Sequence, residues 1–460
     1  MSSQPTDNVS VCGPLILLDS RKTTPREYVR TKVNKVLFVV MPYEGEVLDR
    51  VTAKFYKNSA VKYMPLGVLS VAANIPKKYD VKVLDAASLG LSLSETIDEI
   101  ERCAPDVLAL SVVTYRAWAM CEILKKTSSP IKVVGGPHAT KNYNYILSQG
   151  AHAVFVDDAE LTFPKWLEEG CPTGVFNGGQ VDLSSLPFPA RHLLSMNDYT
   201  IHQNEDLLFN VGKLRLPMFS SKGCPLLCTY CDVQQKNFNR KPAQLCVDEF
   251  EELIKLGATS IHILDDAFNI ERDAVKEMSR EIVRRKINID WSARGTVESR
   301  EDVIASLAEA GCKRLHVGIE SLDNEVLKWF KKSQRYSHIE RFAEFCRKYS
   351  IDILGYFIIG APMESDEYRR KLPGRIQDLG IRLPYFNLLT PLAETPYYQD
   401  LLDRGVFKND HWLEFCKNPI KDFIIPEVRD EAEECELKEI VDKYVEHFQA
   451  LRPQMGVFVS

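Results

Sequence analysis

Short apolar runs recur along this chain, each ended by a polar or glycine-containing turn and followed by a helical pattern. In the first third, "KVLFVVMP", "DVLALSVVT", "IKVVGGP" and "AHAVFVDD" are nearly continuous in Val, Ile, Leu, Ala and Phe. A strand that is apolar on consecutive residues has both faces buried, and such strands belong to parallel sheets covered by helices on both sides. "YDVKVLDA" is a fifth run. "LSETIDEIERCAP" is an amphipathic helix in which Ser92 is followed three residues later by Glu95, the reciprocal capping pattern. Residues 34–172 therefore read as a doubly wound α/β sheet. Such a sheet binds ligands outside the carboxyl ends of its strands, which here read "MPYEG", "SVVTYRAW", "GGPHAT" and "DDAE".

The alternation resumes after residue 213. "LRLPMFSS", "TSIHILDD", "IDWSARG", "KRLHVGIES", "IDILGYFIIGAP" and "LPYFNLLTP" read as six strands with helices between them. One of these helices, at 300–310, has Ser299 as its expected cap and Gly311 as its stop. Short connections between strand and helix imply parallel pairing through right-handed crossovers. Six units make a partial (β/α)6 barrel, whose active site lies at the carboxyl ends of the strands. The predicted organisation is an N-terminal extension (1–33), the first α/β domain (34–172), a linker (173–212), the partial barrel (213–395) and a helical C-terminal cap (396–460). A polar residue or glycine stands at nearly every barrel strand end: Cys224, Asp265 with Asp266, Arg294, Glu320 with Ser321, Gly360 and Thr390. Taken singly, the two aspartates are ordinary helix caps, and Arg294 and Glu320 are surface ions.

Twelve cysteines occur in 460 residues. No apolar run reaches the ~18 residues that span a membrane, and "MSSQPTDNVSVCGP" lacks the apolar core of a signal peptide. The expected location is the cytoplasm, where thiols stay reduced. Net charge is −6 with interspersed signs, which argues against a nucleic-acid surface. Nine cysteines are isolated and read as small buried apolar residues, Cys246 among them. The other three, Cys224, Cys228 and Cys231, crowd into "SKGCPLLCTYCDVQQ" on the first barrel strand end. A structural zinc takes four ligands, and no fourth stands nearby. Three thiolates suit an iron–sulfur cluster that keeps one iron open for a ligand. The zinc loop with a distant fourth ligand is the alternative.

The spacing C-x3-C-x2-C, with Tyr230 before the last cysteine, resembles the signature of the radical S-adenosylmethionine (SAM) enzymes. That resemblance implies a [4Fe–4S] cluster on Cys224, Cys228 and Cys231, whose open iron chelates SAM. Reduction by an external flavodoxin- or ferredoxin-type donor then yields a 5′-deoxyadenosyl radical. "GIES" at 318–321 and "GYFIIGAPME" at 355–364 are similar to SAM-contacting strand ends. By carry-over, Glu320, Ser321 and Arg294 would hold ribose and methionine groups. Tyr230 and backbone near Gly360 would hold adenine, and Asp265 or Asp266 the methionine amino group.

"MPLGVLSVAA", "LSVVTYRAW", "VVGGPHAT" and "LSSLPFPAR" together resemble the cobalamin-binding half of cobalamin-dependent radical SAM enzymes. The cobalamin contacts implied are Ser111, Thr114, Tyr115, Arg116, Trp118, Gly135, Gly136 and His138. Trp118 as helix core, His138 as a structural histidine and Gly135-Gly136 as an ordinary turn are the alternatives. D-x-H-x-x-G is absent, so cobalt is expected to lack a protein imidazole, and "DDAE" (157–160) stands where the family often has G-E-G-E. The first domain, with its own core, is expected to hold cobalamin by itself. The activity implied is a methyltransferase that uses methylcobalamin to methylate an unactivated carbon of a small molecule. A cobalamin-using cyclase, a SAM enzyme whose first domain has lost cobalamin, and an iron–sulfur sensor are the rivals.

Overall fold

The computed structural model describes residues 32–44, 63–199, 214–233 and 237–451. Six strands form the first sheet: β1 (Lys35–Val40), β2 (Asp80–Asp85), β3 (Val107–Ser111), β4 (Ile131–Gly135), β5 (Ala153–Val156) and β6 (Gly174–Asn177). Their order is β2-β1-β3-β4-β5-β6, and every pair is parallel. The continuous apolar runs account for this. Leu37, Leu108, Leu110 and Val154 pack into a core on one face, and Val36, Phe38, Val107, Val133 and Phe155 into a core on the other. Strand order reverses between β1 and β3, so the ligand crevice opens there. The expected capping box is present, with Ser92 accepting from the Glu95 N–H and the Glu95 carboxylate accepting from the Ser92 N–H.

The second sheet is made of β7 (Arg215–Met218), β10 (Ser260–Ile263), β11 (Asp290–Gly295), β12 (Cys312–Glu320), β13 (Asp352–Ile359) and β14 (Leu383–Leu388). A two-stranded antiparallel hairpin, β8 (Ser221–Lys222) with β9 (Asn239–Arg240), lies between β7 and β10 in the chain. The six strands stand side by side in chain order, all parallel, with β7 and β14 as the two edges. This is the open half-barrel that six βα units predict. Leu216, Met218, Ile261, Ile263, Trp291, Ala293, Leu315 and Val317 pack against the covering helices in one core. The residues that alternate with them are polar and buried: Arg215, His262, Ser292, Arg314 and His316. The Tyr63 ring, from the first domain, stacks on His262 with centroids 5.5 Å apart. The guanidiniums of Arg215 and Arg294 lie 5.6 and 5.8 Å from the same ring.

Two local expectations change. The segment 173–212, read as a linker, supplies β6 at the edge of the first sheet and then Arg191, whose side chain is fully buried. Arg191 donates to the Pro217 carbonyl at 2.9 Å and to Glu249 at 2.5 Å, and Glu249 also takes Lys241 at 2.6 Å. Burial alone would raise the Glu249 pKa. Lys241 and Arg191 outweigh it and lower the value, so the carboxylate is charged. Removing one partner of such a pair costs about 3–5 kcal/mol, so "PFPAR" ties the segment to β7. The helix Glu301–Glu309 takes Arg300 as its N-cap, without a side-chain cap bond, rather than Ser299. The Arg300 N–H bonds Glu298 instead. Among the described residues no helix is long and apolar enough to cross a membrane.

Candidate functional site

The cysteine loop leaves the carboxyl end of β7 through the hairpin and through Gly223, whose φ of +84° suits only glycine well. Cys224 and Cys228 are buried and Cys231 partly so. No disulfide joins any of the described cysteines. Backbone bonds hold the loop from both sides. Thr229 N–H donates to Phe330 at 3.2 Å, and the Thr229 carbonyl accepts from Tyr397 at 2.8 Å. Among the described residues, no three His, Cys, Asp or Glu groups converge as they would on a single metal ion. A cluster of four irons asks for something different, one thiolate at each of three corners. Three thiols carried by one short loop meet that need.

The two aspartates that follow β10 have different tasks. Asp265 is fully buried and accepts from Ser220 N–H at 2.8 Å and from the Ser221 hydroxyl at 2.6 Å, besides the Ser220 hydroxyl. It fastens the start of the cysteine loop and has no side left for a ligand. Asp266 is exposed on the wall of a cavity of about 820 Å3. Burial and then Asp265 push its pKa up, against the opposing pull of Arg294 and the Gly223 N–H. Arg294 is half-buried, and its Nε makes no hydrogen bond among the described residues.

Glu320 ends β12 in a left-handed conformation, φ +63°, after a register slip between Gly318 and Glu320. Gln334 Nε2 holds the bulge by donating to the Gly318 and Ile319 carbonyls at 3.0 and 2.9 Å. A non-glycine residue kept at positive φ by its surroundings is a mark of functional sites. Glu320 Oε1 accepts from Tyr230 at 2.6 Å and from Lys332 at 3.2 Å. The Tyr230 phenol is thus bonded to a carboxylate. Ser321 is fully buried, and its hydroxyl pairs with Tyr368 at 2.8 Å, so its side chain serves the fold. Gly360, at φ +93°, donates its N–H to Glu364 at 2.8 Å and lies against Arg429 and Leu437.

In the first domain, Thr114, Tyr115 and Gly136 line the same 820 Å3 cavity as Asp266 and Asp232, so both domains contribute to one space. Ser111, Gly135 and Gly136 line a second pocket of about 190 Å3 at the strand ends, walled by Phe38, Val68, Phe155 and Phe163. A Cβ on Gly136 would sit 2.8 Å from the Val112 carbonyl oxygen, so only glycine fits where the two spaces meet. Three expected contacts are not part of either lining. His138 is buried, with Nδ1 3.3 Å from both Thr114 and Asn142, and burial pushes its pKa down to about 4. It is a neutral structural histidine. Arg116 donates to the Met41 carbonyl and lies 4.3 Å over the Tyr43 ring. Trp118 packs on the first-domain core under Lys421.

Asp157 and Asp158 of "DDAE" line the larger cavity; sequence reasoning missed Gly179 and Gln180 beside them and the Lys141–Glu394 ion pair at 2.6 Å, which joins the two domains at its wall. "NGGQ" at 177–180 was the available signal. A Cβ on Gly178 would fall 1.6 Å from the Asp158 carbonyl oxygen, a close approach only glycine permits.

Comparison with known proteins identifies both domains. Residues 218–372 match the Radical SAM superfamily, and residues 56–167 match the B12 binding domain. The chain is 25% identical over 418 residues to an uncharacterised methyltransferase of Pyrococcus horikoshii, covering 84% of this chain and 86% of that one. It is 26% identical over 365 residues to the bacteriochlorophyllide d C-12(1)-methyltransferase of Chlorobaculum tepidum, covering 75% of each. Its fold is similar to that of the radical SAM methyltransferase TsrM of Kitasatospora setae, solved with tryptophan and a SAM analogue. The TM-score is 0.60 at 18% identity, over 81% of this chain and 76% of that one. The chain belongs to the B12-binding radical SAM enzymes, a family whose relatives of this chain are named as methyltransferases.

Proposed function

We propose that this enzyme transfers a methyl group to an unactivated carbon of a small-molecule substrate held in the 820 Å3 cavity. The observation that carries the reading is the convergence on that cavity of residues from both halves: Asp232 beside the last cysteine, Asp266 after β10, and Thr114, Tyr115 and Gly136 of the first domain. When bound, the [4Fe–4S] cluster with SAM supplies a carbon radical, and cobalamin carries the methyl group that the substrate receives. The chain's own residues bind and orient. Cys224, Cys228 and Cys231 are the thiolate ligands. Asp266, the aspartate with a face on the cavity, accepts from the methionine ammonium, and Arg294 pairs with the carboxylate. Glu320, held by Tyr230 and Lys332, takes ribose hydroxyls.

The cobalamin residues fit as well. Ser111, Gly135 and Gly136 edge an apolar slot of a size for a flat base, and Thr114 and Tyr115 front the cavity where the corrin would lie. No histidine among the described residues of the first domain lines either space. His138 is buried behind Thr114, with Nδ1 3.3 Å from its hydroxyl, and the reading assigns it no bond to cobalt.

The test uses anaerobically reconstituted protein, a one-electron reductant and SAM with a deuterated methyl group, added to the small-molecule pool of the host cell. A new product that bears the deuterated methyl, with one S-adenosylhomocysteine and one 5′-deoxyadenosine per product, is the expected result. Deoxyadenosine without S-adenosylhomocysteine would replace methylation by a cyclisation or rearrangement.

A further inference from the structure

The loop Asp157–Glu160 is acidic, and most of its charge is directed into the protein. Glu160 is buried and takes the Lys222 ammonium at 2.5 Å. Asp158 takes the same ammonium at 3.3 Å and the Val181 N–H at 2.9 Å. Lys222 lies on β8, two residues before Cys224, and its side chain is 17% exposed. Two further bonds cross the same seam. Gln180 donates to the Asn237 carbonyl at 3.0 Å, and Asn239 donates to the Val181 carbonyl at 2.6 Å. Lys222 and Glu160 both stand in the wall of the 190 Å3 slot, and Asp158 stands in the walls of both spaces.

We propose that Lys222 is a positioning residue that joins the two cofactor sites. Its ammonium, clasped by Glu160 and Asp158, completes the wall of the cobalamin slot and fixes the cysteine loop at a set distance from it. The proposal rests on the cobalamin reading given above. It also changes one expectation: the first domain by itself lacks this wall, so full affinity for cobalamin needs the barrel. An acidic loop does here, through a charge pair, what a glycine turn could not do, which is to grip the other domain.

The experiment titrates full-length, cluster-reconstituted protein with aquacobalamin by equilibrium dialysis. Wild type is compared with Lys222→Met, Lys222→Arg and the reversed pair Lys222→Glu with Glu160→Lys. Loss of the ammonium leaves a buried carboxylate unpaired, so Lys222→Met is expected to weaken cobalamin binding roughly tenfold or more. Iron content and SAM binding are expected to stay at wild-type levels. Lys222→Arg and the reversed pair are expected to recover most of the loss, which a purely steric role would not allow. Wild-type affinity in Lys222→Met overturns the clasp, as does an equal loss in all three variants, and so does a parallel loss of iron. If wild-type protein binds no cobalamin, the underlying reading falls and the clasp falls with it.

Discussion

The Tyr230 phenol donates to Glu320 Oε1 at 2.6 Å, which bonds the cysteine loop to a strand end 90 residues further along the chain. Burial, and then Glu320 itself, raise the Tyr230 pKa well above its ordinary value, so the phenol remains a donor across the working range. Tyr230→Phe keeps all three thiols but removes one bond to a charged acceptor, worth about 1.5–3 kcal/mol. Iron content should be unchanged, and SAM binding should weaken by about tenfold. Equilibrium dialysis with labelled SAM measures this. Unchanged affinity would mean that Glu320 keeps its place on Lys332 alone.

Asp265 and Asp266 should respond in opposite ways. Asp265→Ala strands the serine donors of the loop and should cost roughly 2–3 kcal/mol of stability, read as a lower urea midpoint. Asp266→Ala relieves a raised pKa at an exposed position, so it should leave the midpoint within about 0.5 kcal/mol of wild type. Its effect should fall on SAM binding. Equal stability losses in the two variants would contradict the division of labour.

Alanine at Cys224, Cys228 or Cys231 should abolish the cluster. Cys246 is the control. It is 1% exposed, and burial raises its thiol pKa to about 12, so it is an apolar core residue. Cys246→Ala should keep full iron and sulfide content. Iron assay of the four variants decides, and retention of the cluster in the triple variant would be fatal to the assignment.

Glu364 gives the fold a pH dependence. It is buried, and that burial, against the Gly360 and Ala361 N–H groups and Arg369, raises its pKa from 4.5 to about 7. The folded chain therefore keeps this proton where the unfolded chain has lost it. Stability from this group is full below pH ~4.5, falls as pH rises towards 7, and is level beyond, for a total of about 3 kcal/mol at most. Glu364→Gln cannot ionise. Relative to wild type, its urea midpoint should therefore be higher at pH 8 than at pH 5. A constant difference across that range would show that Glu364 is ionised in the fold throughout.

Both sheets were legible because their strands are apolar on consecutive residues or alternate strictly, and because Gly311 ends its helix where expected. The cysteine loop was legible from spacing alone. β6 was not, since "GVFN" is four residues long and an edge strand carries little pattern. Which of Asp265 and Asp266 faces the cavity could not be read, because adjacent residues after a strand differ only in how the loop turns. Arg116, Trp118 and His138 stand among true lining residues in the sequence. Their partners are instead Met41 and Tyr43, Lys421 and the first-domain core, and Thr114 with Asn142, and no local pattern marks these pairings. Lys222 and Glu160 are 62 residues apart, and nothing local to either marks the pairing.

Tyr63 bears on how the molecule can move. Its ring belongs to the first domain, yet it is bracketed by Arg215 and Arg294 and stacked on His262, all barrel residues. A hinge that swung the halves apart would have to withdraw an aromatic ring from two cations and an imidazole, and would tear the Lys222 and Lys141 pairs as well. Large-amplitude opening between the domains would break all of these contacts at once. The turn around Ala393 and Glu394, which leads into the C-terminal helices, stands at the cavity rim and carries one of these ties, the pair to Lys141. With that seam closed, the two cofactor sites on either side of it would keep one separation.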